Sequence, residues 1–429
     1  MKICFFPLAL SLFCVTASAQ QLSVTPEKEA PVYAIGQPIT WQIEVSGDGA
    51  NAIQKVNYTV KQDGQTILSQ GVLPLQNGAA QLQTQLDVPG AVLASFSFVD
   101  AKNKTVEAAG GALVEPFAIE PSRPEPDDFQ NFWQAKIQAL ETIPINPVLI
   151  SEPSGAPNLD YWKVTLDNVS GTHVQGQLAR PRTGNKFPAL LRLQYAGVYG
   201  LGKGNVLNFA RQSWLTLNIS AHDLSIDESK EFYAAQNNGP LKNYPNIGAE
   251  NRETSYFLRM VLSCYRAIDY LKTRPDWDGV TLVVEGTSQG GMQSLMMGGL
   301  NPAVTAVIVN VPAGNDTTGP LVDRAAPWPY WAKMDGDKTQ ITETSRYFDG
   351  VNFARHIKVP TLITVGLLDT TATPVSVLAA FNQIQSPAKQ LVIMPLSDHH
   401  GRGGKQAAYG KNSAMWLKAL VKGEAPPAS

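Results

Sequence analysis

The chain has 429 residues, more than one compact domain usually contains, so two domains are expected. Hydrophobic residues make up 44% and charged residues 16%, which is typical of a globular protein with a sizeable core. The 34 basic and 36 acidic residues nearly cancel, to a formal net charge of −2, so the charge gives no indication of a nucleic-acid or anionic-membrane partner.

The N-terminus, residues 1–19, has the features of a secretory signal peptide. Lys2 is followed by an apolar stretch over residues 3–15 and then by Ala17, Ser18 and Ala19, which form a small-residue cleavage signal. The stretch is shorter than the ~20 residues of a membrane-spanning helix, and no other segment is predicted to span a membrane. The sequence therefore predicts cleavage after Ala19 and export to the periplasm or the medium.

The segment 20–118 has the pattern of a small all-β domain. Apolar and polar residues alternate over residues 39–45, and the Asp-Gly and Asn-Gly pairs at residues 63–64 and 77–78 are typical of hairpin turns. Short strands at about 10-residue spacing predict an antiparallel, immunoglobulin-like sandwich. We interpret it as a packing or carbohydrate-contacting module, followed by a proline-rich linker over residues 119–126.

A different pattern covers residues 127–424. It opens with a predicted helix from Phe129, for which Asp127 or Asp128 is the expected cap. Unbroken apolar strands then alternate with amphipathic helices, which indicates a mostly parallel sheet with helices on both faces. The predicted strands are residues 187–194, 214–220, 280–285, 304–310, 361–366 and 390–395.

The longest interruption of this alternation covers residues 315–355. It contains Trp328, Tyr330 and Trp331, which could roof a pocket. The carboxylates of the insertion are expected to be solvated. They are Asp316, Asp323, Asp335, Asp337, Glu343 and Asp349.

Residues 286–290 read Gly-Thr-Ser-Gln-Gly and fit the pattern G-x-S-x-G. The bare pattern is weak evidence, but here it follows an apolar strand and opens a helix, as a nucleophile elbow requires. Gly286 and Gly290 are expected because side chains there would collide with the crossing strand and helix. The helix N-terminus also offers free N–H groups to a developing anion. Ser288 is therefore predicted to be a nucleophile.

A serine nucleophile needs a base, and in this kind of sheet the order along the chain is serine, acid, histidine. The histidines are His173, His222, His356, His399 and His400. His173 and His222 precede the serine, and His356 is expected to be a helix-end or surface histidine. The pattern leaves His399 and His400, which follow the last strand and can reach over the carboxyl edge of the sheet.

The orienting acid must lie at the carboxyl end of a strand, between the serine and the histidine. Asp369 stands three residues after Gly366, where a predicted strand ends. Asp398 also lies in this interval, but it adjoins the histidines, and adjacent side chains rarely point at each other. Asp369 is therefore the predicted acid.

No cofactor and no metal are expected. His399 and His400 are adjacent, without the H-x-x-x-H spacing of zinc hydrolases, and no carboxylates cluster nearby. Cys264, the one cysteine of the predicted mature chain, lies among apolar residues at helical spacing and is interpreted as a small buried hydrophobe.

Several of these segments resemble the acetyl xylan esterase and cephalosporin C deacetylase family of α/β-hydrolases, over about residues 126–421. "DDFQNFW" resembles the family's opening helix and "GTSQGG" its serine motif. "GLLDTTATP" resembles its Gly-x-x-Asp-x-x-x-Pro stretch, which assigns the acid to Asp369, and "MPLSDHH" resembles its ending, which assigns the base to His399. The implied architecture is an α/β-hydrolase fold preceded by a small all-β, immunoglobulin-like sandwich.

The chain departs from that family in four ways. His400 stands where the family usually has glutamate. Its Arg-Gly-Gln motif reads Ala-His-Asp at residues 221–223, and its His-Gly-Tyr reads Gln-Tyr-Ala at residues 194–196. The N-terminal sandwich is an addition. The resemblance therefore indicates a divergent branch.

The resemblance implies a carbohydrate acetyl esterase that forms an acyl-enzyme. In this hypothesis His399 takes the proton of Ser288, Asp369 orients the imidazole, and the backbone N–H groups of Gln289 and Ala196 hold the oxyanion. The expected partner is an acetylated carbohydrate or another small acyl ester. The natural sugar, the ester position and the oligomeric form are left open.

Two alternative functions remain. One is a peptidase or another carboxylester hydrolase on the same fold, since a fold does not fix a substrate. The other is a non-catalytic sugar-binding protein that retains the three side chains without turnover.

Overall fold

The structure is a computed structural model that describes residues 19–427. The predicted signal peptide lies outside the described residues except for Ala19, so it stays a prediction. Within residues 19–427, no helix combines the length and the hydrophobicity that crossing a membrane requires.

Residues 21–114 form two β-sheets that share one apolar core around Trp41. The strands are β1 (Gln21–Pro26), β2 (Val32–Tyr33), β3 (Ile39–Ser46), β4 (Lys55–Gln62), β5 (Thr66–Pro74), β6 (Ala79–Thr84), β7 (Gly90–Val99) and β8 (Thr105–Val114). One sheet has the order β1-β3-β6 and the other β2-β8-β7-β4-β5. The assignment of this region as an immunoglobulin-like domain with the predicted bounds stays a prediction.

The chain turns tightly at both predicted Asx-Gly pairs, although only the first turn joins two paired strands. Asp63 and Gly64, between β4 and β5, have φ of 49° and 71°, and Asn77 and Gly78, between β5 and β6, have 53° and 79°. Positive φ at both central residues is what a type I′ turn requires, and Asx-Gly tolerates it best. The local sequence thus explains both turns.

Residues 129–420 alternate between helices and the strands of a large mixed sheet. The strands are β9 (Val148–Ser151), β10 (Leu159–Asp167), β11 (His173–Pro181), β12 (Phe187–Leu193), β13 (Leu215–Ile219), β14 (Trp277–Thr287), β15 (Ala306–Asn310), β16 (Thr361–Gly366) and β17 (Lys389–Met394). The helices are α1 (Phe129–Glu141), α2 (Gly204–Ala210), α3 (Lys230–Asn238), α4 (Tyr256–Thr273), α5 (Gln289–Leu300), α6 (Lys338–Ser345), α7 (Gly350–Ala354), α8 (Pro374–Gln383) and α9 (Ala407–Leu420).

The sheet order is β17-β16-β15-β14-β12-β13-β11-β10-β9. The strands from β12 to β17 are parallel, and β9, β10 and β11 extend the sheet antiparallel at one edge. Leu190 of β12 packs with Trp416 of α9 on one face, and Leu191 belongs to the core with Leu295 of α5 on the other. Because helices cover both faces, the central strands are largely buried and rich in apolar residues, and the predicted mostly parallel sheet is confirmed.

The parallel strands bring several loops to one edge. Since β12, β14, β16 and β17 run in the same direction, the residues that follow them meet at their carboxyl ends. The loops beginning at residues 194, 288, 367 and 395 are therefore neighbours.

The N-terminal sheets pack against one of these loops. Gly111 of β8 lies so close to Leu367 that an added Cβ would stand 2.5 Å from the leucine Cβ. The backbone N–H of Ala325 donates to the carbonyl of Asp63 at 2.9 Å. The N-terminal region therefore contacts both the loop after β16 and the insertion.

Two carboxylates of the insertion are buried, so the prediction that they are solvated was wrong. Asp349 is 5% exposed and accepts the backbone N–H groups of Asp316 and Thr317 at 2.8 and 2.7 Å. Asp316 is 2% exposed, accepts the N–H of Ser122 at 2.7 Å, and pairs with Arg324 at 2.7 Å. These carboxylates satisfy buried N–H groups and tie the insertion to the linker, which a polar composition alone does not reveal.

The predicted cap of α1 also differs in detail. Asp128 precedes the helix as expected, but its side chain makes no capping hydrogen bond. It pairs instead with Arg252 at 2.7 Å and accepts a hydrogen bond from the hydroxyl of Tyr347. The side chain joins α1 to distant segments rather than satisfying the helix start.

Candidate active site

Ser288 lies at the sharp turn between β14 and α5. Its backbone has φ 58° and ψ −120°, a region that a non-glycine residue adopts only under constraint. A Cβ at Gly286 would stand 2.2 Å from the carbonyl of Gly290, and one at Gly290 would stand 2.3 Å from the carbonyl oxygen of Leu193. Both glycines are therefore required by the crossing of strand and helix, as predicted, and the turn lifts Ser288 above the sheet edge.

Three side chains from three loops form a continuous hydrogen-bonded chain. Ser288 Oγ lies 2.8 Å from Nε2 of His399, and Nδ1 of His399 lies 2.7 Å from Oδ2 of Asp369. Because the carboxylate accepts at Nδ1, the neutral ring carries its proton there and Nε2 accepts from the serine hydroxyl. The structure brings together the three residues selected from the sequence.

The carboxylate of Asp369 is fixed on its other side. Its side chain is fully buried, and Oδ1 accepts the backbone N–H groups of Thr371 and Ala372, each at 2.8 Å. These bonds leave Oδ2 directed at the imidazole. The loop after β16 thus holds the acid in one orientation.

In the loop after β17, the side chain of His399 lies at the pocket beside Ser288, whereas the neighbouring residues Asp398 and His400 make different contacts. Asp398 accepts the N–H groups of His400 and Gly401 at 3.1 and 2.8 Å, so its carboxylate closes a local turn and does not contact the imidazole of His399. The side chain of Gln406 donates to the carbonyls of Asp398 and His399 at 3.2 and 3.1 Å. His400 is exposed at the pocket rim.

Two backbone N–H groups, one directly after Ser288 in the chain and one in the pocket wall, have no internal acceptor within the described part of the chain. They belong to Gln289, the first residue of α5, and to Ala196, in the loop after β12. Neither N–H has a hydrogen-bond acceptor among residues 19–427. A helix N-terminus also carries partial positive charge, so these two groups suit an oxygen that becomes negative.

The side chain of Gln289 joins the helix start to the neighbouring loops. Its Oε1 accepts a hydrogen bond from the hydroxyl of Tyr244, and its Nε2 donates to the carbonyl of Gln194 at 3.4 Å. Gln194 in turn accepts the N–H of Ala221 at 2.8 Å and donates to the carbonyl of Tyr199 at 2.9 Å. Two glutamines therefore connect the start of α5 with the loops after β12 and β13.

His222 is hydrogen-bonded to the loop after β12 and to α4. It is 2% exposed, Nε2 lies 3.0 Å from the carbonyl oxygen of Gly197, and Nδ1 lies 2.7 Å from the hydroxyl of Tyr256. Burial lowers the pKa of His222 to about 4, so the ring is neutral, donates from Nε2 and accepts at Nδ1. Arg259 donates to the Tyr256 hydroxyl at 2.8 Å and directs that hydroxyl proton to the ring. The sequence excluded His222 as the base but did not indicate this role.

The other histidines lie apart from Ser288. His356 follows α7, as a helix-end histidine should, and its Nε2 lies 2.6 Å from Glu125. His173 is partly exposed on β11, 3.4 Å from Asp223. Neither lines the pocket that contains the serine.

The pocket around Ser288 has a volume of about 430 Å³. Its wall includes His399, the exposed ring of Tyr195, Thr371 and Trp328. The insertion thus contributes Trp328 to this wall. Trp331, which was also expected to roof a pocket, is 3% exposed and packs in the core against Phe257.

Neither a metal-binding cluster nor a thiol contributes to this pocket among the described residues. Among residues 19–427, no group of three or more His, Cys, Asp or Glu side chains could hold a metal ion. Cys264 is buried in α4, where its Sγ lies 3.3 Å from the carbonyl of Met260 and burial raises the pKa of the thiol. The thiol is therefore the buried hydrophobe that the sequence predicted.

Comparisons with known proteins find a matching family and a related esterase. The family model of acetyl xylan esterases (AXE1) matches residues 117–419. The acetyl esterase Axe7A of Xylanibacter ruminicola is 30% identical over 378 residues, which cover 86% of this chain and 83% of that protein.

Two solved structures share the architecture. Acetyl xylan esterase 1 from Thermoanaerobacterium sp. JW/SL YS485 has a TM-score of 0.61 at 20% identity and covers 71% of this chain and 98% of its own. The acetyl xylan esterase from Paenibacillus sp. R4 has a TM-score of 0.59 at 22% identity and covers 69% of this chain and 97% of its own. These likenesses show an α/β-hydrolase-like fold with a large mixed sheet, as predicted for the second region.

Proposed function

The chain belongs to the acetyl xylan esterase family, and from that premise we propose that it is a serine carboxylesterase that removes acetyl groups from carbohydrate. The observation that carries the proposal is the hydrogen-bonded chain from Ser288 through His399 to Asp369, at the wall of an open pocket. Serine, imidazole and carboxylate in this order are the arrangement that activates a hydroxyl for attack on an ester.

Acylation begins when Ser288 Oγ attacks the acetyl carbonyl carbon. Nε2 of His399 accepts the serine proton, and the carbonyl oxygen becomes an oxyanion in the tetrahedral intermediate. Asp369 holds the ring tautomer and stabilises the imidazolium. The intermediate collapses as His399 gives its proton to the departing sugar oxygen, which leaves acetyl-Ser288 and a free sugar hydroxyl.

The oxyanion is held by the N–H groups of Gln289 and Ala196. Both are without an acceptor among the described residues; Gln289 directly follows Ser288 in the chain, and Ala196 lines the same pocket as Ser288. Donors fixed before the reaction need no reorganisation when charge develops, which is why they lower the barrier. In deacylation, His399 removes a proton from water, the hydroxide attacks the acyl carbon, and acetate leaves as Ser288 recovers its proton.

Trapping the acyl-enzyme tests the assignment of the nucleophile. Incubation with an acetyl ester followed by rapid acid quench and peptide mass spectrometry should find an acetyl group on Ser288 that alkaline hydroxylamine removes. Ser288→Ala should lower kcat by on the order of 10⁴ to 10⁶. Acylation of another residue, or a loss smaller than about 10-fold, would reject the assignment.

A substrate panel tests the substrate class. Acetylated xylan, acetylated monosaccharides, an acetylated cephalosporin, a methyl uronate ester and a chromogenic peptide cover the carbohydrate esterase and its rivals. Acetate release from the carbohydrates with an inert peptide supports the proposal. Peptide cleavage would favour a peptidase on the same fold, and carbohydrate binding without turnover of any ester would favour a sugar-binding protein.

The processing and division of the chain belong to the same proposal. We propose that cleavage after Ala19 releases the exported enzyme, with an N-terminal module over residues 20–118 and a catalytic region over residues 127–424. The contact of Gly111 with Leu367 supports a packing role for the module, because Leu367 is two residues before Asp369 in the same loop. N-terminal sequencing of the protein from the periplasm and the medium tests the cleavage and the destination.

A further inference from the structure

A second pocket, of about 590 Å³, opens beside the one that contains Ser288. Ala196 and Trp328 line both pockets, so the two meet between the loop after β12 and the insertion. An ester whose acyl group reaches Ser288 can therefore extend its remaining part into the second pocket. The residues that line the second pocket therefore influence which alcohol portion of the ester the enzyme accepts.

The wall of the second pocket carries polar groups that the protein leaves unused. Asn237 at the end of α3, and Asn243 and Asn246 in the loop that follows, all line it. Among residues 19–427, none of these three side-chain amides has a hydrogen-bond partner. An amide offers donors and an acceptor together, which matches sugar hydroxyl groups. The rings of Trp328 and Tyr330 add flat surfaces against which a sugar ring can pack.

One charged side chain stands among these neutral groups. Lys333 is the charged residue of the described lining, and its ammonium lies 5.0 Å from the ring centroid of Tyr330. No carboxylate among residues 19–427 lies within 4.0 Å of this ammonium. A cation without an acidic partner at the wall of a cleft creates a local positive potential that attracts an anionic ligand.

We propose that this second pocket is a subsite for the sugar chain of the substrate and that Lys333 selects chains carrying a carboxylate, that is, a uronic acid beside the acetylated unit. The asparagine amides bind the sugar hydroxyls, and the ammonium pairs with the uronate. The inference rests on the proposed function, and it adds the chemical class of glycan that the same site takes.

Selectivity between matched substrates tests the subsite. The substrates are two acetylated xylo-oligosaccharides of equal length, one with a glucuronyl branch and one without, and the readout is the ratio of kcat/KM for the acidic to the neutral substrate at low ionic strength. We expect the wild-type ratio to exceed one. Lys333→Gln should lower it by on the order of fivefold, as loss of a partly exposed ion pair does, and added salt should lower the wild-type ratio as well.

Lys242→Gln is the matched control. Lys242 is an exposed lysine in the loop after α3 that lines neither pocket, and its replacement changes the net charge by the same amount. The ratio should keep its wild-type value in this variant. An unchanged ratio in Lys333→Gln, or an equal fall in both variants, would overturn the proposal.

A binding measurement separates the subsite from the proposed function. Calorimetry with Ser288→Ala compares xylotriose with the same trisaccharide bearing a glucuronyl branch, neither of them acetylated. The branched sugar should bind more tightly, and the double variant with Lys333→Gln should lose that preference. If the wild-type enzyme releases acetate from no carbohydrate, the esterase assignment fails while this result still decides the subsite. Equal binding of the two sugars would overturn it.

Discussion

Ser288 lies between two regions that are built differently. On one side are His399 and Asp369, each in a loop that follows a strand directly and is held by hydrogen bonds within that loop. On the other side are the N–H groups of Ala196 and Gln289. Their positions depend on a buried network from four segments, comprising Gln194, Tyr199, Ala221, His222, Tyr244, Tyr256 and Arg259.

The two regions should respond differently to mutation. The relay of Ser288, His399 and Asp369 has one member for each role, so loss of a member removes that role entirely. In the proposed mechanism the network acts by placing the two N–H donors, and a shift of the donors weakens oxyanion binding by degrees. Relay variants should therefore lose orders of magnitude in kcat, whereas network variants should lose less and keep their substrate affinity.

The largest effect is expected at the carboxylate of the relay. Asp369→Asn keeps the size of the side chain but places an amide where Oδ2 accepts the Nδ1 proton, which favours the wrong imidazole tautomer. kcat should fall by on the order of 10⁴, as measured by acetate release under saturating substrate.

Asp398→Asn is the control, because Asp398 is the other carboxylate of that part of the chain. Its Oδ1 accepts only backbone N–H groups of its own turn, and an asparagine oxygen accepts them equally well. Activity should stay within a few-fold of wild type. A larger loss in Asp398→Asn than in Asp369→Asn would mean that the acid is misassigned.

The next effect is expected at His222, on the network side. His222→Phe fills the same space but removes the donor that holds the carbonyl of Gly197, so the preceding residue, Ala196, and its N–H can shift. A displacement of this kind can cost on the order of 100-fold in kcat. KM should change little, because the donor acts mainly on the transition state.

Two further variants test whether His222 acts by positioning the oxyanion donors. His222→Asn restores a donor and should recover part of kcat, while His173→Gln, on the partly exposed histidine of β11, should behave as wild type. If His222→Phe raised KM and left kcat unchanged, the network would serve substrate binding rather than placement of the oxyanion donors.

The same residue predicts a pH dependence of stability. The folded pKa of His222 is about 4, below the ordinary 6.5, so the unfolded state binds the proton first as the pH falls. Stability is therefore lost between pH 6.5 and 4, by roughly 2 kcal/mol from pH 7 to pH 5. Urea unfolding of the wild type and of His222→Phe at pH 7 and pH 5 gives the loss of unfolding free energy in each protein. The difference between the two losses is the contribution of His222, because the other titrating groups are the same in both. Equal losses in the two proteins would assign the pH dependence to other groups.

The relay side could be predicted from the sequence because its signals are local. The glycine pattern around Ser288 and the positions of Asp369 and His399 after apolar strands follow from the geometry of a parallel sheet. The residues alone left His399 and His400 open, and the family resemblance chose between them. In the structure, the imidazole of His399 is hydrogen-bonded to the hydroxyl of Ser288.

The network side gave no comparable signal. Gln194, Tyr244 and His222 are single polar residues in distant segments, and no periodicity or spacing links them before the chain folds. The order of the chain excluded His222 as a base and gave no indication that its buried ring would hydrogen-bond the loop after β12. Buried Asp316 and Asp349 were missed for the same reason, since carboxylates in a polar insertion give no sign that they accept buried N–H groups.

The smallest effect is expected at Tyr244, whose hydroxyl donates to the side chain of Gln289. Tyr244→Phe removes that one donor and keeps the ring, so Gln289 loses a bond worth about 1 kcal/mol and its backbone N–H is held less firmly. kcat should fall about fivefold with KM unchanged for a small acetyl ester. Tyr265→Phe, which removes a hydroxyl from a buried tyrosine of α4 outside both pockets, is the control. Tyr244 also lines the second pocket. An effect confined to long oligosaccharides would therefore assign its hydroxyl to sugar binding and not to the placement of the N–H of Gln289.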